Sequence, residues 1–440
     1  MRKGDVVPKL RVLITNNGLV DRAGSELYVR DVALGLLECG HSPVAYSKRL
    51  GPVADELRHA TVPVIDDLDA LGIEPDIIHG QHHLETMTAV LRFPDVPAVS
   101  FCHGWLPWEE MPAIFPSVQR YVAVDSTCRD RLLLEHGIPI ERIDVLYNFV
   151  DLDRFKVGPA LPDRPRRALV FSNAAHPDSH VGAVREACDR RGIRVDVLGQ
   201  ATRVIDRPES ILGDYDLVFA KARSAMEAVA TGCAVILCDR AGAGPLVRRA
   251  NFAALRELNF GIRALRDPIT PDHLGRQIDC YDPAEAAAVR DLLRSQASRT
   301  DALHTLLAIY HRAMSAPHVT TSMAGASRAA SRYLERISPR VKGFEHAEVR
   351  AAVLQSTLTA AQERRGALET ELTAAQARVA ALETDLAAAR ARVATLETEF
   401  LAVHYSPAMR LRRAVLALPL VGGLTRAVSR TLLGTGRRRA

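Results

Sequence analysis

The sequence predicts an α/β chain of two doubly wound parallel sheets in tandem, facing a cleft and followed by a long coiled-coil helix. Three observations predict it. Short apolar runs alternate with helical periodicity through residues 1–155. The same alternation restarts after a break at 156–167, "KVGPALPDRPRR", rich in proline and charge. Beyond Leu368 the apolar period changes to seven. Strands separated by helices require crossovers, and crossovers give parallel sheets with helices on both faces.

In the first half, "LRVLIT" reads as a buried strand and 24–39 as a helix that Gly40 stops. "SPVAYS", "PDIIHG", "VPAVSF" and "YVAVDS" are further strands, and "IDVLYN" closes the series. The second half, 168–315, carries "ALVFSN", "IRVDVLG", "YDLVFA" and "CAVILCD", and ends in a helical region over 283–314. Residues 316–344 begin with a small-polar run and read as a linker, 345–402 as the coiled coil, and 403–440 as a basic amphipathic tail.

A chain of 440 residues holds two or three domains at ~150 residues each, and 48% hydrophobic content supports real cores. The net charge of +5 is too small for this length to point to nucleic acid. Seven cysteines form no CxxC pair and no zinc spacing, so they read as small core residues in a reducing compartment. No apolar core of a signal peptide follows the N-terminus and no run reaches ~18 apolar residues. The expectation is a cytoplasmic protein without a zinc site.

The heptad seam runs Leu368, Leu372, Ala375, Val379, Leu382, Leu386, Ala389, Val393, Leu396, Phe400, in alternating steps of four and three. It reaches back weakly through Leu354 and Leu358, with Arg365 interrupting. It predicts a homodimer or a link to a partner; the competing reading is a lone solvated helix. The tail holds many arginines and no carboxylate, with Pro419 and Gly422–Gly423 in its middle. It suits a hairpin on the surface of an anionic membrane, or a partner-binding helix.

Three stretches would line a cleft between two such sheets. Gly24 and Ser25 open a helix whose amides attract an anion, with Glu26 close behind. His103 follows a strand at its carboxyl end, where ligand-contacting side chains sit. Ala222, Arg223 and Ser224 would open the helix that carries Glu227; amides and guanidinium suit a diphosphate, and a carboxylate one turn on suits a ribose diol. Glu227 sits among Ala225, Met226, Ala228, Val229 and Ala230, and a buried glutamate needs a partner. The bland alternatives are a structural turn, a structural histidine and a solvated helix glutamate.

These pieces, in this order, resemble the family 4 retaining glycosyltransferases of the GT-B fold. "RAGSELYVRDVALGLLECGHSPVAYS" is similar to their N-terminal glycine loop and helix. The end of the first half carries Asn148, Phe149, Val150, Asp151 and Arg154–Phe155, similar to their Asn-Gly-Val-Asp…Arg-Phe signature. "SAMEAVATGCAVILCD" resembles their donor-nucleotide helix and strand. The resemblance covers about residues 10–315. It implies transfer of a sugar from a nucleotide sugar to the hydroxyl of a glycan or lipid-linked acceptor, with retention, in making a cell-surface polysaccharide or glycolipid. By it, Gly24 and Ser25 face the donor diphosphate, His103 approaches the sugar as the catalytic residue, and Glu227 holds the ribose. The family places a first glutamate eight positions earlier; here that residue is Phe219. The family's early Arg and Lys of the second half are absent from "FSNAAHPDSH". Asn173 stands at that strand end, and Lys221 and Arg223 supply positive charge instead. A glycine loop, Gly242–Ala243–Gly244, follows "CAVILCD". The missing glutamate keeps a second reading open, an inactive scaffold, and the fold leaves a third, a nucleotide-sugar epimerase or hydrolase.

Overall fold

The computed structural model describes residues 9–176, 179–199, 205, 207–317 and 321–417, apart from the side chains of 345 and 346. Residues up to Ile337 form one compact unit and those from Ser338 a second.

The first unit holds two sheets. Seven strands, β1 (Arg11–Thr15), β2 (Ser42–Tyr46), β3 (Val64–Ile65), β4 (Ile77–Gln81), β5 (Ala98–Cys102), β6 (Val118–Ala123) and β7 (Ile143–Val145), pair in the order β3-β2-β1-β4-β5-β6-β7. All these pairs are parallel. Five more, β8 (Arg167–Phe171), β9 (Arg194–Leu198), β10 (Leu217–Ala220), β11 (Ala234–Asp239) and β12 (Gly242–Leu246), pair in the order β12-β11-β10-β8-β9. Central strands such as β4, β5, β10 and β11 are buried along their whole length. That is why they read as continuous apolar runs rather than alternating ones.

The helices are α1 (Gly24–Glu38), α2 (Pro52–His59), α3 (His83–Arg92), α4 (Ser126–Asp130), α5 (Val181–Asp189), α6 (Ala222–Thr231), α7 (Arg249–Glu257), α8 (Pro271–Ile278), α9 (Pro283–Gln296), α10 (Arg299–Met314), α11 (Met323–His404) and α12 (Pro407–Ala417).

Two expectations are corrected, and two further segments pack where spacing along the chain did not announce it. Gly242–Ala243–Gly244 is not a loop but part of β12, antiparallel to β11. Its glycines are needed because backbone passes close by: a Cβ at Gly244 would lie 2.7 Å from the Ala264 carbonyl oxygen. The helical region 283–314 is two helices. Ser298 caps α10 by accepting from the Asp301 amide at 3.1 Å, and the break hydrogen-bonds to Val150 on both sides.

α10 packs away from the second sheet. Leu303, Leu306, Ile309 and Tyr310 of α10 are buried in the core under the first sheet. Gly35 of α1 makes room for them, since a Cβ there would collide with Leu303. The segment read as a linker, 316–344, is helical from Met323, and Tyr333 and Ile337 are buried beside β6 and its neighbours. Two side chains that fill a gap outweigh a small-polar composition.

In the second unit α11 runs on through the heptad segment and α12 follows, with Arg410, Arg412 and Arg413 on it. The rest of the expected tail, 418–440, lies outside the described residues. Among the described residues, no helix is long and apolar enough to cross a membrane.

Candidate active site

Each sheet reverses its winding once, between β1 and β4 in the first and between β8 and β10 in the second. Loops leave such a point in opposite directions and open a crevice at the carboxyl ends of the strands.

At the first reversal, β1 runs into Asn16–Asn17, β4 into His82, and the neighbouring β5 into His103. His82 has φ +61°, a conformation that stores strain in a non-glycine residue. Its Nδ1 accepts from the Asn17 amide at 3.2 Å, so the proton sits on Nε2, which lies 3.5 Å from Glu110 Oε1. Burial disfavours the His82 cation, but Glu110 outweighs it and the pKa is raised. Glu110 Oε2 also accepts from the His103 amide at 2.7 Å. The His103 ring stands edge-on to Tyr28 at 4.6 Å and stacked near Phe101. Burial pushes its pKa down to about 4, so the ring is neutral at pH 7, and its Nε2 has no hydrogen-bond partner among the described residues.

At the second reversal, β10 leads through Lys221 into α6. Ala222 has φ +49° and donates its amide to the Phe260 carbonyl at 2.8 Å. One turn of α6 then sets Arg223 against Glu227: Nε donates to Oε1 at 2.8 Å. Arg223 Nη2 also donates to Asp31 of α1. Asp31 Oδ1 accepts from Arg30 Nε at 2.9 Å and Nη2 at 2.7 Å, and Arg30 reaches Glu56 at 3.3 Å. A ladder of alternating charge thus joins the helices of the two sheets.

Asp31 and Glu227 share Arg223 yet shift in opposite directions. Burial raises both, but Asp31 faces two guanidiniums, which outweigh burial and lower its pKa. Glu227 faces one nearby guanidinium, so burial wins and its pKa is raised. Two of the five N–H donors of Arg223 are committed to these carboxylates, which leaves three for a ligand.

Beside the ladder lies a cavity of about 310 Å³. Gly24, Asn173, Arg223, Ser224 and Glu227 line it, with Arg22, Arg30 and Arg154. Ser25, Lys221 and His103 do not. Ser25 Oγ donates to Glu26 at 2.8 Å, and Lys221 pairs with Asp239 at 2.9 Å. Phe219 is fully buried in the sheet, opposite Val170 and Ile236, and does not line the cavity.

Sequence reasoning missed Arg30, Asp31 and Glu110, and gave no role to Arg154 or to His82 of "HGQHH". The signal for the first two was present: adjacent opposite charges inside an apolar helix, "VRDVALGLL". Arg154, which bonds Glu209 at 2.9 Å, lay in the signature already noted. Among the described residues no group of three His, Cys, Asp or Glu is placed to hold a metal ion.

These features define a class: two doubly wound sheets, parallel but for β12, with a cation-lined crevice at their carboxyl ends. Residues 22–154 match the family model Glycosyltransferase Family 4. No curated protein matches the sequence. Among solved structures, a glycosyltransferase from Rickettsia africae ESF-5 is similar at 15% identity, over 71% of this chain and 100% of that one, with a TM-score of 0.52. Anabaena Alr3699/HepE, solved with UDP and glucose, is similar at 14% identity over 69% and 100%, with a TM-score of 0.50. It was also solved with UDP-glucose. At these identities the likeness is one of fold.

Proposed function

We propose that this chain is a retaining glycosyltransferase of GT-B arrangement that moves a sugar from a nucleotide sugar to an acceptor hydroxyl. The observation that carries the reading is the cavity at the start of α6, where Arg223, Ser224 and Glu227 meet Gly24, Asn173 and Arg154. The amides opening α6 and the guanidiniums of Arg154 and Arg223 would hold the diphosphate and stabilise the charge it gathers as it leaves, a role that needs no metal. Glu227 Oε2, unbonded among the described residues, would accept from the ribose. His103, neutral and with an Nε2 unpartnered among the described residues, would approach the sugar from the first sheet. The Anabaena complexes make UDP-glucose the first donor to try.

The acceptor would be a glycan or lipid-linked hydroxyl. The arginines of α12 support an enzyme held against an anionic membrane surface, in cell-surface polysaccharide or glycolipid synthesis.

The test is nucleotide release by the purified protein from UDP-, GDP- and ADP-sugars with a membrane lipid extract, beside Glu227→Ala. Release from one donor, lost in the variant, supports the reading. If no donor is turned over and no nucleotide binds, the transferase reading fails and the scaffold reading replaces it.

A further inference from the structure

We infer that the heptad segment of α11 pairs with the same segment of a second copy of this chain, parallel and in register. This goes beyond the transferase reading and does not depend on it.

The seam is bare in the single chain: Leu368 is 49% exposed, Leu382 66% and Phe400 67%. Isolated helices of this kind gain their stability from burying such a stripe. Counting Leu372 as a places Val379, Leu386, Val393 and Phe400 at a, and Leu368, Ala375, Leu382, Ala389 and Leu396 at d. The heptads with β-branched Val at a and Leu at d favour two parallel strands.

The flanking charges choose the partner and the alignment. In a parallel in-register pair each g residue meets the next e residue of the partner helix, five positions on. The contacts are then Arg364 with Glu369, Arg378 with Glu383, Asp385 with Arg390, and Arg392 with Glu397. Every one is of opposite sign, and the fifth, Glu371 with Gln376, is neutral. A slip of one heptad sets Glu371 on Glu383, Arg378 on Arg390 and Asp385 on Glu397 along one side of the seam. Along the other side it sets Glu371 on Glu369, Asp385 on Glu383 and Arg392 on Arg390. Both sides juxtapose like charges, which is how such helices reject a wrong register. Within one chain these charges, Glu369 apart, have no ion-pair partner among the described residues. Among the described residues, Arg365–Glu369 at 3.5 Å is the one ion pair of the segment.

The test uses the full chain in a Cys39→Ser background, since Cys39 is exposed. Sedimentation should give twice the 48.1 kDa chain mass at micromolar concentration. Leu368→Cys and Leu396→Cys, made separately, should each cross-link to itself on oxidation, because only a parallel in-register pair sets both d layers within disulfide reach. Arg378→Glu with Arg392→Glu should weaken the dimer about tenfold or more, and adding Glu383→Arg with Glu397→Arg should restore it. A monomer whose circular dichroism still shows the helix overturns the proposal. So does a dimer in which Leu368→Cys links to Leu396→Cys but neither links to itself, the antiparallel result. A dimer indifferent to the charge reversals places the contact elsewhere and overturns it too. None of these readouts involves a nucleotide, so failure here leaves the transferase reading standing.

Discussion

Replacing Asp31 with Asn removes the central carboxylate of the buried ladder. Asp31 is 2% exposed and accepts three charge-assisted hydrogen bonds, two from Arg30 and one from Arg223. Breaking a buried ion pair costs about 3–5 kcal/mol, mostly because the stranded charge stays out of water. Here neither guanidinium is wholly stranded: Arg30 keeps Glu56 at 3.3 Å and Arg223 keeps Glu227 at 2.8 Å. The loss should therefore fall at the lower end, about 3 kcal/mol. Glu227→Gln takes one bond from Arg223 and leaves Asp31 in place, so it should cost about 1–2 kcal/mol. Both tryptophans of the chain, Trp105 and Trp108, lie in the two-sheet unit, so urea unfolding followed by fluorescence reads this unit. A double-mutant cycle of Asp31→Asn with Arg223→Met should show coupling of about 1.5–3 kcal/mol. If Asp31→Asn falls within ~0.5 kcal/mol of the parent, or Glu227→Gln is the more damaging, the reasoning is refuted.

Phe219→Glu, which restores the carboxylate of the family pattern, should lose about 4 kcal/mol or more and gain no activity, because the position lies inside the sheet between Val170 and Ile236; a stable, more active variant would contradict this. The His82–Glu110 pair should impose a pH slope. The raised His82 pKa gives stability that is full below the ordinary 6.5 and lost as pH rises through the folded value. Glu110→Gln should flatten that slope in urea midpoints read from pH 6 upward, and an unchanged slope would remove the pair as its cause. Ala222→Gly should stabilise by about 0.5 kcal/mol: relief of left-handed strain, ~1–2 kcal/mol, is partly offset by glycine's backbone entropy, ~0.5–1 kcal/mol; a lower thermal midpoint would count against strain at α6.

The two-sheet plan was legible because it rests on local chemistry. Ten of the strands read as apolar runs, since both sheet faces are covered. The short β3, two residues long, carries no period to read, and β12 hides behind glycines whose purpose is close backbone approach. For the site, Arg223, Ser224 and Glu227 were legible because they open one helix, where spacing along the chain fixes spacing in space. The partner of Lys221 was not legible, because nothing local announced Asp239 across the sheet.

By itself, then, the sequence determined the alternation of strands and helices, the heptad rod with its charge pattern, and the helix that carries Glu227. All of these depend on residues a few positions apart. Tertiary structure alone decided that Asp31 would hold Arg223, 192 residues away. It also decided that α10 would return to the first sheet and that Phe219 would face the core. These follow from which surfaces meet once the chain has folded, and a buried charge takes whatever counter-charge that meeting supplies.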